Sequence, residues 1–451
     1  MLLVTYLAAI ICLILLEIAR NKICKVDFLT LFNIFYILLY LMPMFMFASG
    51  IVDPIVSLGY TGYDRNTSLQ ILTAIFLSYF MVLAGFYNQS AAKIGKQIKL
   101  NNISDRKLLG IAVFFLFFAT ISLHVFGMQF GGFPVAIANA NLIRNGALPG
   151  GSLTFFKRFV YFSFSSSYLL ASYLFIKKTK KNKLKISFLF LSSLVVAFIA
   201  SLVVAARSTM IVSFGIFYLV YVIQTKKWHL KYLVPIMILA IFIILYGKAF
   251  FFSLSGLPDG YHGIATKFSE TIRDKESSNY SFVDLINTFA YPIQSLYAAF
   301  NETYELRLLS DWYYALLSFL PERLLNVETE LPMSYYNTQY LVNTDEFDIP
   351  TGYIAACIYS FSWPGLVFFS FIYGWIGRYL QTMMQNYLSE IYWMPFIYIL
   401  TAKVWTDLLT YGDPQTFLQT NFCFLVAIVL LIFISKTKPH KMKKYYEKLS
   451  R

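Results

Sequence analysis

The chain has 451 residues, of which 58% are hydrophobic and only 13% charged. A soluble protein of this length needs far more charge to cover its surface, so the apolar excess faces lipid and a soluble globular domain is excluded. The net charge of +14 is then read as charge sorted across a bilayer, not as a nucleic-acid surface.

A spanning helix needs about 20 mostly apolar residues. Such windows fall at 2–19, 29–49, 68–87, 108–127, 159–176, 186–205, 209–225, 232–250, 364–384, 391–408 and 415–435. They predict an all-α polytopic membrane protein of about eleven transmembrane helices. Arg20 and Lys22 follow the first apolar run instead of preceding it, which marks a retained helix and not a secretory signal.

Basic clusters occupy every second connection: Arg20/Lys22/Lys25, Lys93 to Lys107, Lys177 to Lys185, Lys226/Lys227/Lys231, Arg378, and the tail from Lys436 to Arg451. Placing them in the cytoplasm puts about 25 of the 37 Lys and Arg residues there, as the positive-inside rule requires. The expected topology has the N-terminus outside and the C-terminus cytoplasmic, in a bacterial inner membrane. Four regions follow: a transmembrane bundle of about eight helices over 1–250, an external segment over 251–352, about three further spans over 353–435, and a basic tail over 436–451.

The external segment carries 14 acidic and 5 basic residues. Loops this long are usually functional. Its runs Phe282–Tyr291 and Trp312–Leu320 have apolar residues at helical spacing but are too short to span, and so read as interfacial or re-entrant helices. Pro292, Pro321, Pro332 and Pro350 punctuate them.

Several external side chains carry chemistry. Arg207 sits in a minimal hairpin, Ala205 to Thr209, between two apolar helices. An arginine beside hydrocarbon faces a polar cavity or a partner, and a guanidinium suits a lipid phosphate group. Gly131 to Arg158 adds Arg144, a Gly/Pro stretch, Lys157 and Arg158. In the long segment, Glu322, Arg323 and Glu328 are followed by Asp348 and Thr351, with Arg307 as a further basic candidate. Carboxylates beside arginines suit deprotonation of a sugar hydroxyl and stabilisation of a leaving pyrophosphate. His262 and His124 are lone histidines, and Lys403 and Asp407, four apart, predict a helical ion pair. Cys12, Cys24, Cys357 and Cys423 show no disulfide or metal spacing. No metal or cofactor is expected, and no nucleotide-binding motif is present, so an activated substrate arrives already activated.

These segments resemble the Wzy family of O-antigen and related repeat-unit polymerases. The resemblance rests on Arg158 opening a Phe/Tyr-rich helix, on Ala206-Arg207-Ser-Thr-Met, and on the long external segment. It rests further on Asp311-Trp-Tyr-Tyr, on Phe319-Leu-Pro321-Glu-Arg323, and on Pro350-Thr-Gly352 leading to Pro364-Gly365 and Tyr373-Gly374-Trp-Ile-Gly377-Arg378. It implies an enzyme, a glycosyltransferase that moves a growing glycan from undecaprenyl pyrophosphate onto the next lipid-linked repeat unit. Its partners are that lipid-linked oligosaccharide, membrane lipid and a chain-length regulator protein, with no nucleic acid. Arg207, Arg158 and Arg323 take catalytic roles with Glu322 or Asp348. Arg144, Lys157, Arg307, Glu328 and Thr351 contact substrate. The general base stays open among Glu322, Glu328 and Asp348. An O-antigen ligase-like transferase and a lipid-linked oligosaccharide flippase are the alternatives.

Overall fold

Backbone polar groups inside hydrocarbon must be satisfied within the chain, and a helix does this segment by segment. The computed structural model describes residues 2–20, 22, 24–51, 65–144, 148, 151–178, 182–205, 207–276, 282–319, 331–344 and 348–436, excepting side chains at 65, 144, 152, 207, 248, 274–276 and 282–288. Among these the structure is helical, without a strand. The elements are α1 (Leu2–Ala19), α2 (Phe28–Ala48), α3 (Arg65–Phe86), α4 (Gln89–Gln97), α5 (Asp105–Met128), α6 (Phe133–Ala138), α7 (Ala140–Arg144), α8 (Leu153–Ile176) and α9 (Lys183–Val203). They continue as α10 (Arg207–Thr225), α11 (Leu230–Ser253), α12 (Gly260–Glu276), α13 (Phe282–Asn301), α14 (Ser310–Leu317), α15 (Met333–Val342), α16 (Tyr353–Gln385), α17 (Met394–Tyr411) and α18 (Pro414–Lys436).

Ten of the described helices are long and apolar enough to cross a membrane: α1, α2, α3, α5, α8, α9, α10, α11, α16 and α18. The protein is an all-α, multi-pass membrane protein. The remaining expected span is α17, a helix of 18 residues that is less apolar because it carries Lys403 and Asp407. Almost all of it is buried, so its neighbours, not lipid, set the composition it can tolerate. At the other extreme only 6% of the α11 window and 11% of α1 are buried; these helices owe their apolar surface to the bilayer.

Close packing at the centre depends on small residues. A Cβ on Gly85 of α3 would lie 2.0 Å from the Phe371 carbonyl oxygen, and one on Gly374 of α16 would lie 2.0 Å from that of Val82. The two backbones therefore touch, as in small-residue helix crossings generally. Behind them Trp405 of α17 stacks on Tyr373 at 4.4 Å between ring centroids.

Three expectations change. Helix α16 starts at Tyr353, well before the apolar window at 364. Pro292 does not end its helix: α13 runs through it to Asn301, and the proline ring packs on Gly352, where a Cβ would come within 2.6 Å. Arg20, read as an orienting charge, is drawn into a network, donating to both carboxylate oxygens of Asp27 at 2.7 Å and to Glu17 at 3.1 Å. Burial beside two carboxylates favours that closure over solvation.

Candidate functional site

The site begins with a break in α16. Pro364 has no N–H to give the Ser360 carbonyl, and the backbone leaves helical geometry at Phe361 and at Ser362, whose φ is +56°. The carbonyls released upstream are not left bare. The Tyr359 carbonyl accepts from the Arg307 N–H at 3.0 Å and the Ser360 carbonyl from the Leu308 N–H at 2.9 Å. The strap between α13 and α14 is thus clipped onto the broken helix, and this fixes where Arg307 stands.

From there the Arg307 guanidinium donates through Nε to both oxygens of Asp311, at 2.9 and 3.0 Å. It also lies over the Tyr336 ring, 4.3 Å from the centroid, and reaches the Leu331 carbonyl at 3.4 Å. Burial alone disfavours its charge, but the hydrogen bond and charge of Asp311, with Tyr336, outweigh that and raise its pKa.

Below it lies a cavity of about 210 Å³. Its walls are Tyr304, Tyr336, Tyr340 and Tyr359, with Met333, Asn337, Glu305 and Arg307 completing the lining. Tyr304 and Tyr359 meet edge to face at 4.8 Å. Burial pushes the Tyr304 phenol up to about 12, so it stays a neutral donor, to the Ala299 carbonyl at 2.7 Å. Asn337 is occupied: its amide donates to Ser295 Oγ and the Ile349 carbonyl, each at 3.0 Å, and its oxygen accepts from the Tyr359 hydroxyl at 3.2 Å.

The floor helix α15 is capped from outside. Its N-cap residue is Pro332, which offers no side-chain acceptor, and the Ser334 N–H is instead taken by Asp413 Oδ2 at 2.8 Å. The other oxygen of Asp413 accepts from the Gln415 and Thr416 N–H groups at 2.7 and 3.2 Å. One buried carboxylate therefore serves the N-termini of α15 and α18, where negative charge is favoured. Nearby, partial desolvation and the Asp413 charge both raise the pKa of the Asp348 carboxyl, although the residue itself is exposed. Gly412, at φ +68°, lets the chain turn against Gly352; a Cβ there would lie 2.2 Å from the Gly352 carbonyl oxygen.

Of the residues expected from sequence, Arg307 lines the cavity and Asp348 lies in the segment beside its floor, next to Ile349. Thr351 is fully buried, its hydroxyl donating to the Tyr411 carbonyl at 3.4 Å. Arg158 stands apart from the cavity. It donates to the Ser318 carbonyl at 2.9 Å and lies 5.4 Å from the centroids of both Phe155 and Phe319, so it fastens the C-terminal end of α14 to the bundle. Lys157 is half-buried beside it. Arg207 opens α10 and Arg144 closes α7, but both side chains lie outside the described set, as do Glu322, Arg323 and Glu328 entirely. His262 lies on α12 and His124 rests against Phe133 at 5.8 Å.

Sequence reasoning passed over the tyrosine walls, Glu305 and Asp413. With 34 tyrosines in the chain, no one of them stands out; Pro364 within an apolar run was the available signal, since it forces a break near its carbonyl partner. Among the described residues no three His, Cys, Asp or Glu side chains gather as a metal cradle. Comparison with known protein families, with curated proteins and with solved structures yields no match.

Proposed function

We propose that this chain is a polysaccharide repeat-unit polymerase of the Wzy kind, acting at the outer face of a bacterial inner membrane. The observation that carries this reading is the tyrosine-walled cavity with its guanidinium and carboxylate, set against a multi-pass bundle. Aromatic walls with a few polar groups suit a sugar. The strap and α14 beside it expose Leu306, Leu308, Leu309, Trp312, Tyr313 and Leu316, the apolar and aromatic mixture of a membrane interface, where a lipid-linked glycan would present itself.

In the proposed reaction an acceptor hydroxyl attacks the anomeric carbon of the donor glycan. The bond from that carbon to the pyrophosphate oxygen breaks, the lipid pyrophosphate leaves, and the hydroxyl proton passes to a carboxylate, Asp348, Glu322 or Glu328. A raised Asp348 pKa makes it a better proton acceptor once ionised. Arg207, with Arg144 or Arg158, neutralises the departing pyrophosphate, and Arg323 orients donor or acceptor.

The test is the polysaccharide ladder of the host lacking this gene, complemented by wild type or by Arg207→Ala. The proposal expects single repeat units without the gene, a ladder with wild type, and no ladder with the variant at normal protein levels. Long polymer left on its carrier would establish a ligase. A second reading, a lipid-linked oligosaccharide transporter, draws on the broken helix α16, because transporters use discontinuous helices. It predicts loss of all surface-exposed repeat units, single ones included.

A further inference from the structure

The charge inside the cavity decides what it can hold. Two charged side chains line it among the described residues, Arg307 and Glu305. Arg307 is committed to Asp311, with guanidinium-to-carboxylate distances of 2.8 to 3.0 Å, and that pair is neutral as a unit. Glu305 is solvent-exposed, and the described lining carries a net negative charge. The hydrogen-bonding capacity of the walls is largely consumed from within. Tyr304 donates to Ala299, and Tyr359 to Asn337 and, at 3.4 Å, to Ser295. Asn337 has both amide hydrogens and its oxygen engaged. Among the described residues, what the walls chiefly offer a ligand is ring surface and the Glu305 carboxylate, with the Tyr336 phenol beside Arg307.

We infer that this cavity is a subsite for a single uncharged or amino-bearing sugar ring, stacked on tyrosine faces and held by Glu305, and that it is not the pyrophosphate clamp. Ring surface binds the C–H face of a pyranose, and a carboxylate accepts from its hydroxyl or ammonium groups. A phosphate or uronate would meet Glu305 with no uncompensated cation among the described lining residues to offset it. At about 210 Å³ the cavity is smaller than the ~300–1,000 Å³ of drug-sized sites, so it takes one ring of a glycan and leaves the rest outside. Arg307 then acts as a positioning residue, holding Tyr336 and the strap against the broken helix.

The inference rests on the proposal that this chain handles lipid-linked glycans, and binding and polymerisation are therefore measured separately. Full-length protein in nanodiscs would be titrated with methyl glycosides of a neutral hexose, an amino sugar and a hexuronate, and with inorganic pyrophosphate, read by saturation-transfer NMR. The neutral and amino sugars should bind, with the uronate weaker by roughly tenfold and pyrophosphate not competing. Tyr340→Ala should abolish the sugar signal. Glu305→Lys, at an exposed position, should shift preference toward the uronate by roughly tenfold. Pyrophosphate or uronate displacing the neutral sugar from wild type would overturn the inference. So would the absence of sugar binding by folded protein, or Glu305→Lys leaving the preference unchanged. Sugar binding of the expected kind, with an unaltered ladder in the deletion strain, would uphold the subsite and remove the polymerase reading. A collapsed ladder without that binding would do the reverse.

Discussion

Lys403 and Asp407 on α17 share their four-residue spacing with Arg307 and Asp311, the base coming first in both. Their surroundings differ. The Lys403 ammonium lies 2.5 Å from Asp407, 2.9 Å from the Asn421 amide oxygen and 4.8 Å from the Phe424 ring centroid; its side chain is 7% exposed. It joins α17 to α18 within the bundle. The Arg307 side chain is 15% exposed, and its fork is spread over Asp311, the Tyr336 ring and the Leu331 carbonyl. The point charge of a lysine closes a buried contact between two helices, while the planar fork of an arginine holds three surfaces in register at the rim of a cavity. Equal spacing therefore says that a pair can form, and the environment says what it is for.

Breaking the buried pair should have the largest effect. Lys403→Ala strands the Asp407 carboxylate and is expected to cost about 3–5 kcal/mol, seen as a large fall in the thermal midpoint in detergent. Replacing both residues, Lys403→Met with Asp407→Leu, should recover most of it, since a buried pair exchanged for apolar groups is often neutral or stabilising. A double variant as unstable as the single would assign the pair a further role.

At the rim, Asp311→Ala should cost less, about 1–3 kcal/mol for a lost charge-assisted hydrogen bond. It should also shorten the polysaccharide ladder by loosening Arg307 and Tyr336. Arg307→Lys sharpens the point: it keeps the charge but loses the fork, and is expected to shorten the ladder with little loss of protein. Arg158→Ala tests the other guanidinium. Losing the Ser318 contact and the stacking on Phe155 and Phe319 should cost about 1–2 kcal/mol and increase proteolysis at the end of α14.

The smallest effect is at Asp348. Its folded-state pKa lies above the unfolded one, so the folded protein binds the proton more tightly. Stability from this group is present at low pH and is lost as pH rises through the raised value. Asp348→Asn should flatten that decline, measured as the thermal midpoint from about pH 4 to 7, leaving the variant slightly more stable than wild type at the upper end.

Membrane residence and helical class are legible without coordinates. Lipid imposes a local, twenty-residue demand on composition, and the runs at α1, α9, α11 and α18 meet it on their own. The Lys403–Asp407 pair is legible for the same reason, being set by spacing along one helix. Helix α17 is legible as the run 391–408; that protein and not lipid surrounds it is not legible, since its burial depends on neighbours distant in the chain. The passage of α13 through Pro292 is also hidden, since it depends on Gly352 lying opposite.

The candidate site belongs to tertiary structure. Tyr304, Tyr336, Tyr340 and Tyr359 come from a strap, a short helix and a broken span, and nothing local distinguishes them. Their meeting depends on two carbonyls released beside Pro364 and answered by Arg307 and Leu308, and on Asp413 capping a helix whose own cap is a proline. Sequence by itself determined where the chain enters and leaves an apolar phase, because that is a property of consecutive residues. Which polar groups close on one another, and so where a cavity is left, was decided only by the fold, because hydrogen bonds between distant segments have no period along the chain.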